Sequence, residues 1–135
     1  ELDNSIEIDL STSSKKIILN SDKEQIRRVF LNLIKNSIES IQQKAEIESN
    51  FSKKITIELI GNDHHINLVI VDNGIGFGKF SANIKDILNP YFTTKKNGTG
   101  LGLSIVNKII NDHNGSIDFF PIKDGAKVKI IFSKL

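Results

Sequence analysis

The stretch Ile66-Asn67-Leu68-Val69-Ile70-Val71-Asp72-Asn73-Gly74-Ile75-Gly76 decides between fold classes. Ile66, Leu68 and Ile70 fall on one face of a period-two pattern, and Val69 and Val71 on the other, as in a buried strand. A carboxylate then ends the strand, with glycines two and four positions on. A doubly wound dinucleotide fold places its glycines directly after the first strand. Here other elements come first, so that reading fails.

Upstream, Lys54 to Ile60 alternates as Ile55, Ile57, Leu59, and Gly61-Asn62-Asp63 reads as a hairpin turn into the quoted strand. Before these, Ile26, Val29, Phe30, Leu33, Ile34, Ser37, Ile38 and Ile41 recur in steps of three and four. That is the helical period. Asn20, Ser21 or Asp22 can cap the helix, and Glu48-Ser49-Asn50 ends it. At the N-terminus, Ile6, Ile8 and Leu10 predict a half-buried strand, Ser11 to Ser14 a turn, and Lys15 to Asn20 a second strand.

Downstream, residues 72–100 carry Gly74, Gly76, Gly78, Gly98 and Gly100, a loop with short helical pieces, one of them between Gly76 and Pro90. Leu101 to Asn114 predicts a helix facing the core with Leu103, Val106, Ile109 and Ile110, with Gly115 as C-cap. Ser116 to Phe120 and Ala126 to Phe132 close the chain as strands around Lys123-Asp124-Gly125. The expected order is β β α β β loop α β β. This is an α/β class, a two-layer sandwich in which helices cover one face of the sheet.

The composition narrows the function. The chain has 135 residues, 39% hydrophobic, with no Cys, Met or Trp and a formal net charge of +2. One domain spanning 1–135 is expected. No disulfide framework is possible, no apolar run approaches a membrane span, and Glu1-Leu2-Asp3-Asn4 does not open a secretory signal. All 18 basic residues except Arg27 and Arg28 are lysines, scattered along the chain with pairs at Lys15-Lys16, Lys53-Lys54 and Lys95-Lys96, so no nucleic-acid patch is expected. A chain without an initiator Met reads as a piece of a larger protein or as a processed chain.

Three constellations could carry chemistry. Asp72 can accept a hydrogen bond from an amine such as that of adenine, with Gly74 and Gly76 admitting a flat ligand; it could equally be the solvated Asp of a β-turn. Gly98-Thr99-Gly100-Leu101-Gly102-Leu103 opens onto a helix, where backbone N–H groups suit phosphates. Thr93, Thr94, Lys95 and Lys96 lie just upstream. No Lys-Ser/Thr follows the last glycine, so this is not a Walker A loop, and a flexible linker is the other reading. Asn32, Asn36 and Glu39 share a face of the first helix. An Asn oxygen suits Mg²⁺, and a plain polar stripe is the alternative.

Read together, Asn32-Leu33-Ile34-Lys35-Asn36-Ser37, Asp72-Asn73-Gly74-Ile75-Gly76, Asn89-Pro90-Tyr91-Phe92-Thr93-Thr94-Lys95 and Gly98-Thr99-Gly100-Leu101-Gly102-Leu103 closely resemble the N, G1, F and G2 boxes of sensor histidine kinases. These belong to the wider group of DNA gyrase B, Hsp90 and MutL. The resemblance runs from about residue 4 to 132 and is closest to nitrogen-sensor kinases of the NtrB/NtrY type.

The resemblance implies a Bergerat-type ATP-binding fold with a mixed, mostly antiparallel sheet. It assigns the Mg²⁺ ligand to Asn36, a place near phosphates and metal to Asn32, and the adenine amine to Asp72. Gly74 and Gly76 would shape the base pocket. Gly98, Gly100 and Gly102 would form the lid over the phosphates, with Leu101 and Leu103 anchoring the following helix and Thr94 and Lys95 beside the triphosphate. ATP-hydrolysing relatives carry a Glu four residues before the metal Asn. Asn32 cannot take a proton from water, which favours phosphoryl transfer to a protein histidine over hydrolysis. Glu39 is the rival carboxylate.

The implied partners are the kinase's own dimerisation domain, which carries the acceptor histidine, and a response regulator. His64, His65 and His113 read as surface or cap residues, so the dimerisation helices look absent. A cytoplasmic domain is expected, with inner-membrane anchoring of the parent left open, itself touching neither membrane nor nucleic acid. A gyrase- or MutL-type hydrolase and an anti-sigma-type serine kinase are the alternatives.

Overall fold

A computed structural model describes residues 6–13, 17–48, 50–76 and 102–133. In chain order the elements are β1 (Glu7–Thr12), α1 (Lys23–Ile47), β2 (Lys54–Gly61), β3 (His65–Asp72), α2 (Gly102–Asp112), β4 (Gly115–Ile122) and β5 (Gly125–Ser133). The strands form one sheet in the order β1-β2-β3-β5-β4. Every pairing is antiparallel except β1 with β2. The expected two-layer α/β sandwich is therefore present, with a mixed, mostly antiparallel sheet.

The long helix forms where the apolar period placed it. Val29, Leu33, Ser37 and Ile41 are its buried residues, four apart. Asp22 is the N-cap: its Oδ1 accepts from the N–H groups of Glu24 at 3.0 Å and Gln25 at 3.2 Å. That satisfies donors a helix start leaves without partners. On α2, Val106, Ile109 and Ile110 are buried. The two helices pack on each other, α1 lies against β3 and α2 against β4.

Register explains the covered face. Leu68 stands opposite Leu59 and Ile130, and Ile70 opposite Ile57 and Val128. Side chains alternate faces along a strand, so Ile66, Leu68, Ile70 and Asp72 all point to the helix side. All four are buried. Hydrophobic alternation thus delivers one carboxylate into the space between sheet and helix.

Three expectations need correction. Residues 17–20 form no strand. Ile17 and Leu19 pack against the core as partly buried side chains, while Ile18 is 65% exposed. Their alternation reflects side-chain packing without a ladder. The expected half-burial of β1 also fails: Ile8 and Leu10 pair with Ile55 and Ile57 but are 52% and 68% exposed. The helices lie over β3 and β4, beyond reach of that edge. Finally, the residue that reverses the chain after α2 is Asn114 at φ 59°, an αL position that Asn tolerates. Gly115 begins β4 instead. The small helix expected between Gly76 and Pro90 falls outside the described residues.

Candidate functional site

The short turn that follows β3 is hydrogen-bonded to α1. Asp72 is 6% exposed, and its Oδ1 accepts the Gly74 N–H at 2.9 Å. The Ser37 and Ser40 hydroxyls also hydrogen-bond the carboxyl. Burial pushes the Asp72 carboxyl above its ordinary range, while the Gly74 N–H, the two hydroxyls and the charge of Lys44 pull the other way. A carboxylate with donors already in place and little solvent is a strong, directional acceptor for one further donor.

Ser40 joins helix to turn through both ends. Its Oγ accepts from the Gly76 N–H at 3.1 Å and its carbonyl accepts from the Ile75 N–H at 3.1 Å. Gly74 is required by this closeness: a Cβ there would lie 2.6 Å from the Ile41 nitrogen. Gly76 is required by conformation, at φ 77°. The turn between β4 and β5 closes the same corner. A Cβ on Gly125 would collide with the backbone of Asp72, so this glycine lets the turn pack directly against the site.

Asn32 and Asn36 sit on the same helix as Ser40. At about 1.5 Å per residue they lie about 12 and 6 Å before it along the axis. Asn32 lines an open recess with Asp22, Arg28 and Leu31. Glu39 faces Lys35, with Nζ to Oε1 at 3.9 Å. Gly102 opens α2, with nothing within 4 Å of an added Cβ. Thr94, Lys95, Gly98, Gly100 and Leu101 lie outside the described residues. The structure thus gathers Asp72, Gly74 and Gly76 into one corner and strings Asn36 and Asn32 along the helix that borders it.

Four contributors were not recognised from sequence: Ser37, Ser40, Lys44 and Asn73. Ser37 carried a signal, a polar residue at a core position of the helical stripe. Ser40 and Lys44 follow it by three and seven residues, on the same face. Asn73 carried none beyond its place in the glycine motif.

The histidines are held in surface and cap settings, as expected. The His64 and His65 backbone N–H groups both donate to Asn62 Oδ1, at 2.9 and 2.8 Å. His113 bridges the two helices: Nε2 accepts from the Asp22 N–H at 3.0 Å, and Nδ1 lies 2.8 Å from the Ile109 carbonyl. That pairing corresponds to a neutral ring protonated at Nδ1.

Among the described residues, no three His, Cys, Asp or Glu side chains come together to hold a metal ion. An Asn amide oxygen is a hard donor that fits Mg²⁺ carried largely by phosphates and water, so the residues present fit that ion and no all-protein cage.

The sequence pattern of the family described as "Histidine kinase-, DNA gyrase B-, and HSP90-like ATPase" matches residues 21–134. Sporulation kinase A of Bacillus subtilis (strain 168) is 35% identical over 133 residues, covering 97% of this chain and 20% of that protein. The sensory histidine kinase/phosphatase NtrB of Azospirillum brasilense is 35% identical over 106 residues, covering 73% of this chain and 26% of its own. The chain therefore spans about a quarter or less of these relatives. Among solved structures, the nucleotide-free catalytic domain of the histidine kinase ThkA superposes with a TM-score of 0.78 at 28% identity, over 96% of this chain and 80% of that one.

Proposed function

The chain belongs to the histidine kinase-, DNA gyrase B- and HSP90-like ATPase family, as a catalytic domain of the histidine kinase type, and from that premise we propose that it binds ATP with Mg²⁺ and presents the γ-phosphoryl group to a histidine of a separate dimerisation domain. From there the group passes to an aspartate of a response regulator. The observation that carries the reading is the buried Asp72 carboxylate, stapled between β3 and α1 beside Gly74 and Gly76.

In this reading Asp72 accepts from the adenine amine, and Gly74 and Gly76 let the base lie flat against the backbone. Asn36 offers its amide oxygen to Mg²⁺, which supplies charge neutralisation at the phosphates when bound. Asn32 contacts phosphate or the metal's water. Thr94, Lys95 and the backbone N–H groups of Gly98, Gly100, Leu101 and Gly102 add donors around the phosphates. No carboxylate stands at position 32 to take a proton from water, which supports transfer over hydrolysis. The whole of 1–135 acts as one ATP-binding unit of a larger kinase, on the cytoplasmic side where ATP is available.

Calorimetry with ADP tests the site. Asp72→Asn keeps the shape and removes the charged acceptor, a loss of about 1.5–3 kcal/mol, or about 10- to 100-fold in Kd. Unchanged affinity overturns the assignment.

A further inference from the structure

Asn73 follows the site carboxylate, and its hydrogen bonding departs from that of a strand residue. The β2–β3 ladder pairs Ile55 with Asp72, so Asn73 stands opposite Lys54. In an antiparallel pair of this kind each residue gives its N–H to the other's carbonyl. Half of that exchange is present: the Asn73 N–H donates to the Lys54 carbonyl at 3.2 Å. The other half is not made by backbone. The Lys54 N–H donates to the side-chain oxygen of Asn73 at 2.8 Å. The Asn73 carbonyl has turned away and accepts from Lys44 Nζ of α1 at 3.1 Å. The Asn73 amide nitrogen meanwhile donates to the Ser52 carbonyl, and Lys44 Nζ sits 4.7 Å over the Phe51 ring.

Resting on the nucleotide reading above, we propose that Asn73 is a positioning residue for base recognition, its side chain standing in for its own carbonyl in the ladder. That substitution lets the chain leave the sheet one residue after Asp72 without orphaning the Lys54 N–H. The freed carbonyl is then fastened to α1, the helix that also holds the Asp72 carboxyl through Ser37 and Ser40. The direction in which Asp72 faces is set from both layers. With alanine at 73, the Lys54 N–H keeps a protein partner only if the carbonyl swings back into the ladder. That rotation breaks the Lys44 contact and re-aims the turn carrying the Gly74 N–H.

The expected consequence is a loss of base discrimination rather than of nucleotide affinity in general. ADP offers an amine at the position where inosine diphosphate carries an oxo group. Calorimetry of the 135-residue chain with both ligands reads the ratio. The unaltered chain should favour ADP by about tenfold or more, the weight of one charge-assisted hydrogen bond. Asn73→Ala should bring that ratio to within about threefold, through weaker ADP binding, with inosine diphosphate affinity changed less than about threefold. A general weakening of the fold would lower both affinities together and leave the ratio standing. A folded Asn73→Ala chain that keeps the full preference overturns the proposal and leaves the nucleotide reading intact. An unaltered chain without any preference overturns both. Should Asn73→Ala not fold, Asn73→Ser, which keeps a turn-forming side chain too short to span Lys54 and Ser52, is judged by the same ratio.

Discussion

At the scale of single residues, Asp72 joins stability and function with opposite signs. Burial raises its pKa, so between the ordinary carboxylate range and the raised value the folded chain binds more protons than the unfolded one. Stability then falls as pH rises through that window. Acceptance of a hydrogen bond from an amine needs the ionised form, so ADP affinity should rise across the same window. Thermal melts of the ligand-free chain and calorimetry over a pH series should show the two slopes opposed, and Asp72→Asn should flatten this residue's share of both. Parallel slopes would refute the assignment. The position and type of Asp72 were legible because period two put it on the buried face and two glycines followed it. Its partners were not. Ser37, Ser40 and Lys44 come from a helix ending 25 residues before Asp72, and no local pattern couples the two segments.

At the scale of elements, α1 was the most legible, since its apolar stripe, its N-cap and its end all have local causes. Asp22 illustrates the limit. Its side chain caps α1 as expected, yet its backbone N–H is also bound by His113 at the far end of α2. Asp22→Ala removes only the side-chain cap and should cost about 1 kcal/mol in urea denaturation, with the His113 link retained; no measurable loss would contradict the capping geometry. The N-terminal segment was misread for the opposite reason. Ile17-Ile18-Leu19 looks like a strand, but Ile17 and Leu19 turn to the core from a segment that makes no ladder. Alternation reports which side chains face inward and says nothing about whether a ladder partner exists.

At the scale of the whole molecule, the chemistry proposed requires an external acceptor. His64 and His65 lie on an exposed hairpin, and both His113 nitrogens are engaged. With radiolabelled ATP and Mg²⁺ the 135-residue chain should bind nucleotide and retain no label; label on the chain would contradict this. Steady-state ATP turnover should stay slow, and rapid turnover that disappears in Glu39→Gln would refute the transfer assignment. The sequence by itself determined the fold class, the family and the candidate site residues, because helical period, strand alternation and glycine motifs are local consequences of backbone geometry and survive in one dimension. Tertiary structure alone decided which strand holds the sheet edge, that Ser40 and Gly125 close on the Asp72 corner, and that Asn73 replaces its own carbonyl in the ladder. Those depend on which buried polar groups meet across the layers and on each finding a partner, a condition that exists only once the chain has packed.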